Sequence, residues 1–138
     1  MITVLDAVDY IYTWLKDKPI KSAISGGLYK HKRPVNSQKE DLVIVPLTLD
    51  ADQLQEGIMN VNIHVPNLLL GAGTAQDKTQ PDHLRLKQLA SMAVESLNEV
   101  WMEEGQINFS VLTPIMFDEP EINQHYINIR LSFGAVNV

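Results

Sequence analysis

Two stretches of the chain alternate apolar and polar residues, and this alternation is the strongest constraint on the fold. Residues 60–66 read NVNIHVP, and residues 126–133 read YINIRLSF. Successive side chains of a strand point to opposite faces of a sheet, so each stretch predicts a strand with one apolar face. The polar faces are rich in asparagine. Because asparagine is a poor strand former, its presence on two strands needs an explanation.

The remaining pattern predicts helices near 3–17 and 81–103. Thr3 and Asp6 have the spacing of a capping box, and Pro19 ends the first helix. Gly105 is a plausible stop for the second helix. Trp14 and Trp101 lie at helical positions and are predicted to be core residues. Strands are predicted near residues 41–49, 57–66, 107–117 and 125–136.

The predicted fold is a single α+β domain over residues 1–138. Short links within each strand pair favour hairpins, so the prediction is an antiparallel sheet of about four strands with two helices on one face, in helix–hairpin–helix–hairpin order. Pro46 cannot donate to a strand ladder and should lie at an edge or a bulge. Segments 19–40 and 67–80 are predicted to be mostly loop, with residues 27–30 (GLYK) as a short strand.

Charge is distributed unevenly along the chain. Seven of the eleven basic residues lie within residues 16–39, so residues 1–39 have a net charge of +4 and the rest has −10. The basic segment is either a solvated loop or a contact surface for an acidic patch or polyanion. The overall charge of −6 argues against a sequence-specific nucleic-acid binder.

Composition and motifs exclude several kinds of site. The chain has no cysteine, which excludes a disulfide framework, a thiolate zinc site and a cysteine nucleophile. GAGTAQ lacks the third glycine of a dinucleotide loop, and no Walker sequence is present. The four histidines lack metal-ligand spacing. We therefore expect no catalytic residue, no cofactor and no metal. No apolar run is long enough to cross a membrane, so we expect no membrane partner.

The polar sheet face is the main candidate for a functional surface. Its predicted residues include one formal charge: Asn60, Asn62, His64, Asn108, Ser110, Asn128, Arg130 and Ser132. Because interface cores are depleted in charge, this face is predicted to contact another subunit. The alternative is an open, weakly charged face in water. The predicted interface residues are Lys30, Lys32 and Arg33 of the basic segment, with Asn60, Asn62, His64, Asn128 and Arg130 of the sheet.

The element order and four stretches resemble bacteriophage tail-completion and tail-terminator proteins, many of which prophages encode. The stretches are GLYK, RPVNSQKEDLVIVPL, NVNIHVPN and HYINIRLSF, and the resemblance covers most of residues 1–136. It implies a non-enzymatic virion structural protein. Such proteins form rings, often hexameric, which end growth of the tail tube and support head attachment.

The resemblance also implies partners and a location. The partners would be further copies of the chain, the tail-tube protein and the head-completion proteins, and the isolated subunit can be monomeric if ring closure needs the tube. The protein would act in the bacterial cytoplasm during assembly and then in the virion tail. The alternatives are a phage head–tail adaptor, or a small-ligand module or enzyme with an unrecognised pocket.

Overall fold

The two alternating stretches form the central pair of strands in a computed structural model that describes residues 1–137. The helices are α1 (Val4–Leu15), α2 (Pro19–Ala23) and α3 (His83–Leu97), and three short 3-10 turns accompany them. The strands are β1 (Leu28–Lys30), β2 (Asp41–Leu49), β3 (Leu54–Pro66), β4 (Val100–Met102), β5 (Ile107–Glu119) and β6 (Gln124–Val136).

The six strands form one mixed sheet in the order β1-β2-β3-β6-β5-β4. β1 runs parallel to β2, and the other neighbouring pairs are antiparallel. The sheet curls into a half-barrel. The prediction of a four-stranded antiparallel sheet with two helices is therefore wrong. It missed β4 at one edge and the parallel position of β1, and it missed the short helix α2.

The edge strand β1 is parallel because the chain returns before it enters β2. After Lys30, residues 31–40 run back past the sheet, so that Leu28 lies beside Leu42 and Lys30 beside Ile44. Segment 19–40 thus contains α2 and β1 and has more regular structure than predicted. The short strand predicted at residues 27–30 is present.

Pro46 lies where the strand ladder is interrupted. The register between β2 and β3 shifts between Pro46 and Thr48, and β1 covers only residues 42–44. A proline is tolerated here because neither neighbour requires a regular donor at this point. The prediction of an edge or bulge position is confirmed.

The first helix follows its sequence signals closely. The Thr3 hydroxyl accepts a hydrogen bond from the Asp6 backbone N–H, and the Asp6 carboxylate accepts one from the Thr3 backbone N–H at 2.8 Å. This reciprocal cap fixes the start of α1. The helix ends before Pro19, as predicted.

The second predicted helix ends six residues early. Asp82 caps the start of α3, but the helix stops at Leu97, and Glu99 has a positive φ of 53°. Val100, Trp101 and Met102 then pair with β5 as β4. Val100 and Trp101 favour strand over helix, and an available sheet edge decides the outcome. Trp101 is 66% exposed, so its predicted core position is wrong.

The hydrophobic core lies between the helices and one face of the sheet. The buried side chains of α1, α2 and α3 pack in one cluster with those of this face. The sheet contributes Leu42, Ile44, Met59, Val61, Ile63, Ile129, Leu131 and Phe133. Trp14 lies beside this core and donates from Nε1 to the Ser96 carbonyl at 2.7 Å. We call the opposite sheet face the amide face.

Candidate self-association surface

The strand register places the predicted polar residues together on the amide face. Asn60 lies opposite Arg130, and Asn62 lies opposite Asn128 in the β3–β6 ladder. Ser110 of β5 lies opposite Ser132 of β6. Side chains alternate between the two faces of a strand, so residues paired in register lie on the same face of the sheet. That the face binds a partner stays a prediction.

The three asparagines hydrogen-bond to one another across the two strands. The Asn128 side-chain amide donates to the Asn62 oxygen at 2.7 Å and to the Asn60 oxygen at 3.2 Å. Asparagine serves here because its amide both donates and accepts. The cluster needs no partner to satisfy these bonds, so it gives the centre of the face a polar, neutral patch beside the exposed Arg130.

A bulge in β5 changes which of its residues reach the amide face. The register between β5 and β6 shifts between Val111 and Thr113, which leaves Leu112 as an extra residue. A one-residue shift moves every later side chain to the other face. Ile115 and Phe117 therefore lie opposite Asn128 and Tyr126 on the amide face, where both remain exposed. The sequence prediction missed these two apolar residues.

One end of the amide face is closed by a buried ionic cluster. The Arg33 guanidinium donates to Asp41 Oδ2 at 3.2 Å and to Gln124 Oε1 at 2.5 Å. The Ser37 hydroxyl also donates to Asp41 Oδ2, at 2.6 Å. Asp41 and Gln124 are almost fully buried, and the Arg33 side chain is only 10% exposed. Arg33 therefore pairs within its own subunit, which makes it a poor candidate for contact with a partner.

His64 joins the same cluster through Glu119. Its Nδ1 lies 2.7 Å from Glu119 Oε1, and Glu119 also lies 3.8 Å from the Arg33 guanidinium. Burial lowers the pKa of His64, as does the charge of Arg33, and together they outweigh the opposing effect of Glu119. His64 is therefore neutral near pH 7. Because a carboxylate only accepts, the proton lies on Nδ1. Glu119 and Gln124 were missed because their partners lie 55 and 91 positions away in the sequence. Asp41 was missed although Arg33 and Ser37 lie only 8 and 4 positions before it.

The other predicted basic residues lie at the β1 edge. Lys30 is half-exposed, and its ammonium is 2.7 Å from the Asp9 carboxylate and 4.7 Å from the centre of the Tyr12 ring. Lys32 is exposed, and so is Arg130 on β6. Lys30 and Lys32 thus remain accessible at one edge of the sheet.

Within the described residues 1–137, both edges of the sheet have a stretch without a neighbouring strand. β1 covers β2 only at residues 42–44, which leaves residues 45–49. β4 covers β5 only at residues 107–109, which leaves residues 110–119. Leu47 on the first stretch is 58% exposed, and Met116 on the second is 50% exposed. Exposed edges with apolar side chains favour pairing with another chain.

A groove of about 750 Å³ lies at the other end of the amide face. Its lining includes Gly57, Asn108, Leu112 and Ser132. The Asn108 side chain lies over Gly134 in this groove, and a Cβ atom there would come within 2.8 Å of Asn108 Nδ2. The groove is a candidate site for a small ligand.

Within residues 1–137, no group of three His, Asp or Glu side chains is close enough to hold a metal ion. No helix in this range has both the length and the apolar content needed to cross a bilayer. No protein-family model matches the sequence, and no curated protein is significantly similar to it.

Proposed function

We propose that the protein is a non-enzymatic structural subunit that joins copies of itself into a ring through its sheet. One observation carries this proposal: within residues 1–137, both sheet edges leave exposed apolar residues without a neighbouring strand, on either side of the amide face. Monomeric proteins usually cover, shorten or charge such edges, and here a proline and a bulge interrupt each edge without covering it. Leu47 on one edge and Met116 on the other are instead left accessible.

The two edges differ, which favours a ring over a closed dimer. A contact between unlike surfaces repeats from copy to copy and closes when the rotation allows. Lys30 and Lys32 lie at the β1 edge, whereas Asp118 and Glu121 lie at the end of the β5–β6 hairpin. Opposite charges at opposite edges favour head-to-tail contact.

We further propose that this ring ends the tail tube of a phage and supports head joining. This step rests on the resemblance of the sequence to tail-completion and tail-terminator proteins. The partners would be the tail-tube and head-completion proteins. The test is deletion of the gene from the phage or prophage, followed by electron microscopy of the particles. The expected result is headless tails of abnormal length together with free heads.

Other outcomes of the deletion separate the alternatives. Free heads with free tails of normal length would assign the protein to head–tail joining as an adaptor. Complete particles would remove the tail role. In that case the groove beside Gly57 favours a small-ligand module, and screening the purified protein against small-molecule libraries by thermal shift would test that function.

A further inference from the structure

The geometry points to one specific subunit contact: residues 116–119 of β5 in one copy pair with residues 45–49 of β2 in the next. This inference rests on the proposed self-association and adds the strands and their register. Each free edge thus pairs with a neighbouring copy of this chain.

The strand directions allow the contact without turning a subunit over. β5 is antiparallel to β6, which is antiparallel to β3, which is antiparallel to β2. β5 and β2 therefore run in opposite directions within one sheet. If the next copy has the same orientation, its β2 extends the sheet antiparallel to β5, and both amide faces lie on the same side.

The end of β1 limits how far the two strands can slide. β1 occupies the position beside residues 42–44, and the His31 backbone N–H donates to the Ile44 carbonyl at 2.8 Å. The β5 strand of a neighbouring copy can therefore pair with β2 only from Val45 onwards, because Val45 is the first β2 residue that β1 leaves free. The longest overlap therefore places Glu119 opposite Val45.

Side-chain direction agrees with this register. Glu119 and Phe117 point to the amide face. Val45 and Thr48 point to the same face, because the register of β2 shifts at Leu47 between them. Phe117 then lies opposite Thr48, and Met116 lies opposite Leu49 on the helix side. Residues paired across strands must share a face, and a shift by one residue would break this match.

Charge supports the same arrangement. With Glu119 opposite Val45, the hairpin turn of one copy lies beside residues 30–32 of the next. Asp118, 59% exposed in its side chain, and exposed Glu121 would face Lys30 and Lys32. This assigns the basic segment an acidic counterpart, the hairpin turn. Complementary charges fix the register and oppose other pairings.

Prolines make the edges selective. Pro46 removes one backbone donor from β2, and Pro114 removes one from β5 just outside the proposed overlap. Natural edges use prolines and bulges to prevent unlimited strand addition. The contact is consequently short, and it depends on the side chains and charges as much as on backbone hydrogen bonds.

Cysteine cross-linking tests the register directly, because the chain has no native cysteine. In Thr48→Cys/Phe117→Cys the two thiols of neighbouring copies would come together, whereas in the control Thr48→Cys/Ser110→Cys they would lie several residues apart. Both variants are oxidised under conditions in which the wild type assembles, as shown by native mass spectrometry. The expected result is a ladder of covalent oligomers for the first variant only.

A charge exchange gives a second readout. Glu121→Lys should raise the dissociation constant of self-association about tenfold, because two lysines would then face each other. Adding Lys32→Glu to the same chain should restore the wild-type dissociation constant. Assembly of the wild type without selective cross-linking, or without this rescue, would overturn the strand register and leave the proposed ring standing. A wild type that stays monomeric, both alone and with tail tubes, would overturn the ring and the register together.

Discussion

The Asn128 side-chain amide on β6 donates to the Asn62 side-chain oxygen on β3 across 2.7 Å. The two residues lie directly opposite each other in the strand register, with Asn60 as a second acceptor for the same amide. This bond explains why poor strand formers recur on the two central strands. The cost in strand propensity is offset by a cross-strand hydrogen bond in a half-buried position.

Replacing Asn62 with lysine should lower the stability of the subunit. Lysine has no acceptor for the Asn128 amide, so the free energy of unfolding should fall by about 1 to 2 kcal/mol. The subunit should still fold, because its core lies on the other face of the sheet. The proposed edge contact does not include Asn62, so weaker association of this variant would show that the amide face also binds a partner, where a buried charge is costly. Urea denaturation and analytical ultracentrifugation measure the two effects.

Asn62→Thr is the matched control. Threonine keeps an acceptor and favours strand structure, so both quantities should stay close to the wild-type values. If the lysine variant associates as strongly as the wild type, the amide face is not part of the contact.

Loss of the Arg33 charge should destabilise the protein strongly. Arg33→Met leaves the Asp41 carboxylate buried without its cation, which costs about 3 to 5 kcal/mol in comparable pairs. Lys32→Met changes the adjacent residue, which is exposed, and should shift the free energy of unfolding by at most about 0.5 kcal/mol. Equal effects of the two substitutions in chemical denaturation would contradict the internal role of Arg33.

The long strands could be predicted from sequence because their alternation is local. β2, β3, β5 and β6 all fall within a few residues of the predicted ranges, and the first helix begins at its capping box and ends before Pro19. Each of these signals depends on neighbours within a few positions. Local periodicity could therefore identify the strands and the amide residues of β3 and β6.

The remainder depends on contacts that no local pattern contains. The bulge at Leu112 moves Ile115 and Phe117 to the amide face, and nothing in the alternation marks it. β4 forms because an edge of β5 is available to residues that also fit a helical pattern. Arg33 donates a hydrogen bond to Gln124, which lies 91 positions away in the sequence. Tertiary context decides all three, so the edges and the ionic cluster could not be predicted.

Glu40 and Arg85 connect the loop before β2 to the start of α3. The Arg85 guanidinium donates from Nε and Nη2 to the two Glu40 oxygens at 2.6 and 2.9 Å. A double-mutant cycle with Glu40→Gln and Arg85→Gln should give a coupling of about 1 kcal/mol, because the pair is partly exposed to solvent. Additive effects of the two substitutions would show that the pair contributes nothing.

The same pair predicts a pH dependence in acid. The hydrogen bonds from Arg85 hold the pKa of Glu40 below its ordinary value of 4.5. A lowered carboxyl pKa adds stability above pH 4.5, and this stability is lost as the pH falls through the folded-state pKa. Wild type should therefore lose more free energy of unfolding below pH 4.5 than Glu40→Gln, measured by urea denaturation at each pH.

His64 should make the protein less stable under mildly acidic conditions. Burial and the Arg33 charge lower the pKa of His64 below its ordinary value of 6.5, so the unfolded chain binds its proton at a higher pH than the folded protein does. The stability associated with neutral His64 is present above pH 6.5 and is lost as the pH falls towards the folded-state pKa. The slope from this one group cannot exceed about 1.4 kcal/mol per pH unit.

The measurement compares wild type with His64→Gln by urea denaturation between pH 7.5 and about 5, a range that begins above the histidine pKa. The wild type should show the steeper loss of free energy of unfolding. His83→Gln, which removes an exposed histidine at the start of α3, should follow the wild-type slope. Parallel curves for wild type and His64→Gln would show that His64 does not titrate differently on folding. A wild type that gains stability relative to His64→Gln as the pH falls would mean that Glu119 outweighs burial and Arg33, and that His64 is charged in the folded protein.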